Sequence, residues 1–130
     1  MIVTDASVIA EILLRTPDAS AVEARILRDD ETLHAPALLD VEVAQVMRRY
    51  VSRGEIPEIH GRHALKLLGR FPIKRYDHGP LLSRIWLLRE NLTSYDAAYV
   101  ALAEGLGATL VTRDAALGRV RHHSAKIEVI

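Results

Sequence analysis

The sequence contains no cysteine, so neither a disulfide framework nor a thiolate metal site can form. It also lacks any run of about 18 apolar residues, so a membrane-spanning helix is not expected. The first residues, Met1–Asp5, lack the basic start of a signal peptide and reach an acid at once. Together these absences predict a cytoplasmic protein without a membrane segment.

The composition is that of an ordinary globular protein, with 49% hydrophobic residues and 17 basic side chains against 17 acidic ones. At 130 residues the chain is expected to form a single domain over 1–130. The charge is unevenly distributed: residues 1–45 carry 3 basic and 9 acidic side chains, whereas residues 46–75 carry 8 and 2. A basic segment of this kind is one footprint of a polyanion-binding protein, and solvated helix surface is the other interpretation.

Strand-like and helix-like segments alternate along the chain, and this pattern predicts an α/β fold with a parallel sheet. The predicted strands are Ile2–Thr4, Thr32–Ala35, Phe71–Tyr76, Ala108–Thr112 and Lys126–Ile130. The predicted helices are Val8–Arg15, Ala19–Arg28, Ala37–Ser52 with Pro36 in its first turn, 56–69, a fifth from Gly79, and a sixth.

The sixth helix lies in the stretch around which we organise the sequence, Leu92–Leu117. Thr93 or Ser94 is suited to cap the helix, and Gly105 or Gly107 to end it. Asp96 falls in its first turn, and Asp114 follows the next strand.

Asp5 likewise follows the first strand. Ligands of open α/β sheets bind beyond the carboxyl ends of the strands, where Asp5 and Asp114 are expected. Asp96 would join them if its helix begins beside that edge. Taken singly, Asp5 could be only a helix cap and Asp114 only a turn residue.

A fourth acid, Glu42, lies on the third predicted helix, beside an apolar stripe at helical spacing. Its neighbours Leu38, Leu39, Val41 and Val43 would make burial of a carboxylate costly unless it were paired or metal-bound. The alternative is a solvent-facing side chain paired with Gln45 or Arg49. The sequence leaves both open.

Four converging carboxylates could not all stay ionised without a cation, because like charges raise each other's pKa. An oxygen-only cluster prefers hard ions such as Mg²⁺ or Mn²⁺. Such an ion polarises a phosphodiester and activates water. Spacing alone does not establish that the acids converge.

Four segments in this order resemble the motifs of PIN-domain ribonucleases of the VapC toxin type: Ile2–Ser7, Pro36–Val43, Leu92–Tyr99 and Leu110–Asp114. The resemblance covers essentially the whole chain. It implies a three-layer α/β/α sandwich with a central, mostly parallel sheet of four to five short strands. It also implies a Mg²⁺- or Mn²⁺-dependent endoribonuclease that uses water to hydrolyse RNA phosphodiester bonds.

Carried over by position, the metal-binding and catalytic acids are Asp5, Glu42, Asp96 and Asp114, and Ser7 and Thr112 take a supporting role. Many relatives carry asparagine where this chain has Gln45. Hypothetical phosphate contacts are the arginines Arg48, Arg49, Arg53, Arg75, Arg113, Arg119 and Arg121.

The resemblance further implies a homodimer and a cognate VapB-type antitoxin that inhibits the enzyme. An apolar groove for the antitoxin is conceivable on the first two helices, although the same residues could simply face the sheet: Ile9, Ile12, Leu13, Val22 and Ile26.

Other classes fit less well. A phospho-acceptor signalling domain would need an acidic pair at the first strand, where this chain offers Asp5 alone. A phosphatase opening with Asp-x-Asp is disfavoured because Ala6-Ser7 follows Asp5. A non-catalytic RNA- or protein-binding module on the PIN fold is the remaining alternative, although it would typically have lost one of the acids. His60 and His63 lack a third ligand, and Trp86 is expected in the core or at a dimer face.

Overall fold

The computed structural model describes residues 1–130, which form five strands and six α-helices. In chain order they are β1 Ile2–Thr4, α1 Ala6–Leu14, α2 Ala19–Ile26, β2 Leu33–Pro36, α3 Leu38–Ser52, α4 Glu58–Leu68, β3 Ile73–Tyr76, α5 Leu82–Leu87, α6 Ser94–Leu106, β4 Thr109–Thr112 and β5 Lys126–Val129. Two 3₁₀ turns, Gly79–Leu81 and Leu117–Arg119, precede α5 and β5.

All five strands are parallel, in the order β3-β2-β1-β4-β5. The chain runs from the central strand β1 outwards through β2 to β3, and then returns to the other side of β1 for β4 and β5. The direction of winding therefore reverses between β1 and β4. In sheets of this kind, the reversal opens a crevice beyond the carboxyl ends of the two strands.

Helices flank the sheet. Helix α6 packs against β1, β2 and β4 and carries α5, whereas α1 packs against α2, α3 and α4 and reaches β4. A single cluster of 31 buried apolar residues forms the core. The predicted α/β architecture with a parallel sheet is thereby confirmed. None of the helices is both long and apolar enough to cross a membrane.

The predicted position of Pro36 is wrong. Pro36 does not begin α3 but ends β2, opposite Tyr76 of β3. Proline is tolerated there because β2 pairs with β1 only through Leu33 and His34, so the missing N–H of Pro36 leaves no gap in the ladder with β1. Proline suits both the first turn of a helix and the end of a strand, so the local sequence does not distinguish these two positions.

The core location considered for Trp86 is also wrong, because its side chain is 66% exposed. Helix α5 has only six residues, and of these Ile85 is buried whereas Leu82 and Leu87 are exposed. The guanidinium of Arg89 lies 4.6 Å from the centre of a Trp86 ring. The apolar residues at helical spacing in this segment therefore lie partly in the core and partly on the surface.

Candidate functional site

Asp5 follows β1 directly and caps α1. Its Oδ1 accepts hydrogen bonds from the backbone N–H groups of Ser7 (3.0 Å) and Val8 (3.2 Å) and from the hydroxyl of Ser7 (2.5 Å). Its Oδ2 accepts one from the hydroxyl of Thr112 at 2.5 Å. The side chain is almost fully buried, and burial raises the pKa of Asp5 despite these four hydrogen bonds, which lower it. Asp5 is therefore both a helix cap and a buried carboxylate at the end of the central strand.

Two hydroxyl groups link Asp5 to the segment that follows β4. Ser7 Oγ accepts a hydrogen bond from the backbone N–H of Arg113 (2.9 Å), and Thr112 Oγ1 accepts one from the N–H of Asp114 (2.9 Å). Each hydroxyl thus receives a hydrogen bond from this segment and donates its own proton to Asp5. The residues predicted to support the site, Ser7 and Thr112, join the ends of β1 and β4.

Glu42 reaches the same region from α3. Its Oε2 accepts a hydrogen bond from the hydroxyl of Tyr99 at 3.2 Å, whereas Gln45 accepts one from Arg48. The expected alternative, a pair with Gln45 or Arg49, is not formed. Burial, followed by the charges of Asp96 and Asp5, raises the pKa of Glu42.

Tyr99 is a site residue that sequence analysis missed. It lies one helical turn after Asp96 on α6, and this i, i+3 spacing is the signal that could have identified it. Burial and the neighbouring charges of Glu42 and Asp5 raise the pKa of Tyr99, so its hydroxyl stays protonated and donates to Glu42.

Asp96 lies in the first turn of α6, which Thr93 caps by accepting the N–H of Asp96 at 3.2 Å. Burial, and then the charge of Asp114, raises the pKa of Asp96. Asp114 itself is exposed, and its Oδ1 accepts the N–H of Ala116 at 2.8 Å in a local turn. Asp96 is therefore held in the first turn of α6 and Glu42 in the second turn of α3, whereas Asp5 and Asp114 follow the ends of strands.

The four acids line one cavity of about 340 Å³, together with Ala6, Ser7, Gln45, Val46, Arg49 and Tyr99. We call this cavity the acid pocket. It lies at the crevice expected beside β1 and β4, because Asp5 and Asp114 follow these two strands. The structure thus brings together four acids that are up to 109 positions apart in the chain, from Asp5 to Asp114.

The donor set of the acid pocket suits a hard divalent cation. All four acids present oxygen atoms. Burial raises the pKa of Asp5, Glu42 and Asp96, and the charges of neighbouring acids add to this shift for Glu42 and Asp96. A cation in the pocket would stabilise the ionised carboxylates. As they stand, however, no group of three or more acidic or histidine side chains is arranged so that it could hold one metal ion.

Of the seven arginines predicted as phosphate contacts, Arg119 and Arg121 do not line the acid pocket, and the other five have different surroundings. Arg49 lines the acid pocket and makes no ion pair. Arg48 binds Gln45, and Arg53 lies at the end of α3. Arg75 is engaged by Asp40 at 2.9 to 3.2 Å, and Arg113 by Asp18 at 2.8 Å and Glu11 at 3.7 Å. Of the five, Arg49 alone is both free and inside the pocket.

Of the five residues considered for an apolar groove on the first two helices, Ile9, Leu13, Val22 and Ile26 belong to the core and are at most 3% exposed, whereas Ile12 and Leu13 also line a surface cavity. The apolar stripe of the four core residues faces inwards. This cavity, of about 630 Å³, lies between α1, α2 and the segment joining α4 to β3. It is lined by Ile12, Pro17, Leu27, Leu67, Phe71 and Pro72, with Arg15, Glu23 and Arg70 among its polar groups. We call it the apolar groove.

Known proteins resemble this chain in sequence and in fold. A family model described as PIN domain matches residues 2–123. The chain is 44% identical over 130 residues to Ribonuclease VapC12 of Mycobacterium tuberculosis, covering 100% of this chain and 99% of that protein. The fold is similar to that of PAE2754 from Pyrobaculum aerophilum (TM-score 0.72, 24% identity, 98% and 83% covered). It is also similar to a chain in the structure of VapBC2 from Rickettsia felis bound to a promoter DNA fragment (TM-score 0.74, 14% identity, 100% and 99% covered).

Proposed function

This chain belongs to the PIN domain family, among the VapC ribonucleases, and from this premise we propose that it is a metal-dependent endoribonuclease whose active site is the acid pocket. The observation that carries the proposal is the meeting of Asp5, Glu42, Asp96 and Asp114 in one cavity. We further propose that the enzyme is the toxin of a toxin–antitoxin module.

Asp5, Asp96 and Asp114 would hold a Mg²⁺ or Mn²⁺ ion, and Glu42 would bind that ion, a second one, or the attacking water. A bound ion of this kind lowers the pKa of water and offsets charge that develops on the phosphate. The hydroxyls of Ser7 and Thr112 hold Asp5 in place, and Tyr99 orients Glu42.

Arg49 is the arginine best placed to contact an RNA phosphate, because it lines the acid pocket and has no acidic partner. A guanidinium can bind two phosphate oxygens at once. RNA binding that depends on such contacts should weaken steeply as salt is raised. The RNA that is cleaved is not specified by these residues.

We propose that a segment of the cognate antitoxin binds in the apolar groove. Its lining contains Leu27, which is 39% exposed, and it adjoins a smaller cavity that contains the exposed Ile59. An apolar peptide segment would remove these side chains from water. The homodimer expected from the resemblance stays a prediction, for which sedimentation analysis is the direct measurement.

The test is cleavage of total cellular RNA by antitoxin-free protein with Mg²⁺, with Mn²⁺ and with EDTA. Asp5→Asn and Asp96→Asn remove one negative charge each, and we expect both to lose cleavage of the order of a hundredfold or more. Asp29→Asn, an exposed turn residue, is the matched control and should cut like wild type. Leu27→Asp should also cut normally but resist inhibition by the antitoxin.

Failure of the folded wild-type protein to cut RNA with either ion would favour the non-catalytic binding module. Cleavage that survives EDTA and both pocket substitutions would reject the acid pocket as the active site. Circular dichroism of each variant establishes that it is folded.

A further inference from the structure

We infer that Arg113 is a positioning residue that holds Asp114 at the acid pocket, and not one of the arginines that contact RNA phosphate. The inference rests on the proposed function, since Asp114 is a proposed ion ligand. It goes further because it names the residue that keeps Asp114 in position.

The guanidinium of Arg113 is occupied on three sides. Nη2 donates to Asp18 Oδ2 at 2.8 Å, Nη1 donates to the carbonyl oxygen of Ile130 at 2.9 Å, and Nε lies 3.7 Å from Glu11 Oε1. These partners belong to α1, to the start of α2 and to the segment after β5. A phosphate would have to displace them, and the two acids would repel it.

Asp18 gives independent support. It occupies the N-cap position of α2, where an aspartate normally accepts a backbone N–H, but its side chain makes no capping hydrogen bond. Its carboxylate binds Arg113 instead. Helix α2 therefore lacks a side-chain cap, because Asp18 binds the guanidinium of Arg113.

The segment carrying Asp114 has few other anchors. The N–H of Asp114 donates to Thr112 Oγ1, whose hydroxyl in turn donates to Asp5, and Asp114 Oδ1 accepts the N–H of Ala116 within its own turn. Apart from the Thr112 hydroxyl, the side-chain ties to other elements come from Arg113: its N–H donates to Ser7, and its side chain reaches Glu11, Asp18 and Ile130. Since Asp114 is exposed, its orientation depends on these ties.

Whether ion affinity rises or falls when Arg113 is replaced distinguishes a positioning role from an effect of its charge. Arg113 is a cation next to Asp114 in the chain, so removing its charge should by itself strengthen the binding of a metal ion at Asp114. If Arg113 positions Asp114, removing it should weaken binding. Substitutions of groups that orient metal ligands typically reduce metal affinity about 10- to 100-fold.

The experiment compares Arg113→Gln and Arg113→Lys with wild type. Lysine keeps the charge but lacks the planar fork that binds three partners. We expect both variants to bind Mn²⁺ about tenfold more weakly in calorimetry. We also expect a lower kcat with an unchanged KM for RNA, and faster hydrogen exchange at the Asp114 amide.

Arg25→Gln is the matched control. Arg25 also ties α2 to the C-terminal strand, through Glu128 at 2.5 and 2.8 Å, and its side chain is 24% exposed against 28% for Arg113. It is not part of the acid pocket. It should leave Mn²⁺ affinity and Asp114 exchange unchanged. Asp18→Asn keeps Arg113 itself and should give a weaker form of the Arg113→Gln effect, even if Arg113→Gln fails to fold.

Unchanged or tighter Mn²⁺ binding in Arg113→Gln, with a raised KM and a salt dependence reduced by about one phosphate contact, would assign Arg113 to RNA binding and overturn the inference. Unchanged Mn²⁺ affinity and unchanged exchange at Asp114 would also overturn it. If wild-type protein itself bound no Mn²⁺, the proposed function would fail, whereas the exchange measurement would still decide whether Arg113 fixes Asp114.

Discussion

At the scale of single residues, the acid pocket places similar groups in unlike surroundings. Asp5 is buried and receives four hydrogen bonds, whereas Asp114 is exposed and held by a local turn. Glu42 and Asp96 lie between these extremes, and burial raises the pKa of both. In the absence of a cation, the ionised forms of these two carboxylates therefore lower the stability of the folded protein.

Glu42→Gln should stabilise the metal-free protein at pH 7 by about 0.5 to 1 kcal/mol, a small value because the side chain is half-buried and partly screened. Glutamine can still accept the Tyr99 hydroxyl but removes the repulsion by Asp96 and Asp5. The folded-state pKa of Glu42 is raised above its ordinary value of 4.5, so the gain is complete above the folded pKa and vanishes below 4.5. Urea unfolding across this pH range is the measurement.

Glu55→Gln, at an exposed position outside the pocket, should change the free energy of unfolding little. If Glu42→Gln destabilised the metal-free protein at pH 7, the hydrogen bond with Tyr99 would outweigh the repulsion among the acids.

At the scale of elements, α6 shows how one residue determines where a helix ends. Both Gly105 and Gly107 were candidates, and the helix ends with Gly107 in the left-handed conformation, at φ 59°. Gly105 lies inside the helix with an ordinary φ. Neither glycine has an atom within 4 Å of an added Cβ, so only the backbone conformation distinguishes them.

Alanine substitutions at these two glycines should therefore have opposite effects. Gly105→Ala should stabilise the protein by about 0.5 to 1 kcal/mol, because alanine loses less backbone entropy in a helix. Gly107→Ala should destabilise it by about 1 to 2 kcal/mol, because a Cβ is strained in the left-handed region. Thermal unfolding of the pair provides an internal control, and effects of the same sign would contradict the assigned end of α6.

At the scale of the whole molecule, the sheet order and the helices around it turn dispersed acids into one pocket. The reversal of winding at β1 brings Asp5 and Asp114 together, and α3 and α6 deliver Glu42 and Asp96 to the same crevice. Because the pocket forms only in the folded chain, an ion that binds there must also stabilise the fold.

Mn²⁺ at about 100 times its dissociation constant should raise the free energy of unfolding by about 2.7 kcal/mol, and the melting temperature by several degrees. Asp5→Asn should lose most of this shift, and Asp29→Asn should keep it. Differential scanning calorimetry with and without EDTA measures the effect. An equal shift in Asp5→Asn would mean that the ion binds outside the acid pocket.

Much of the fold could be predicted because it depends on short-range signals. The alternation of β-branched runs with helical segments predicted the parallel sheet, and all five strands occur within one or two residues of their predicted bounds. The exception, Pro36, lies where the local preference of proline fits two structures. Among the site residues, the motif resemblance identified the four acids that line the pocket, although spacing alone could not establish that they meet.

The sequence by itself determined which segments form strands and helices, and which of them end in an acid, because these properties depend on neighbouring residues. Only the tertiary structure decided that Tyr99 is the partner of Glu42, that Arg113 and Arg75 are already occupied whereas Arg49 is free, and that Trp86 faces solvent. These features depend on how helices pack on the sheet and rotate about their axes. Local propensity does not encode that geometry, since it arises from contacts between residues far apart in the chain.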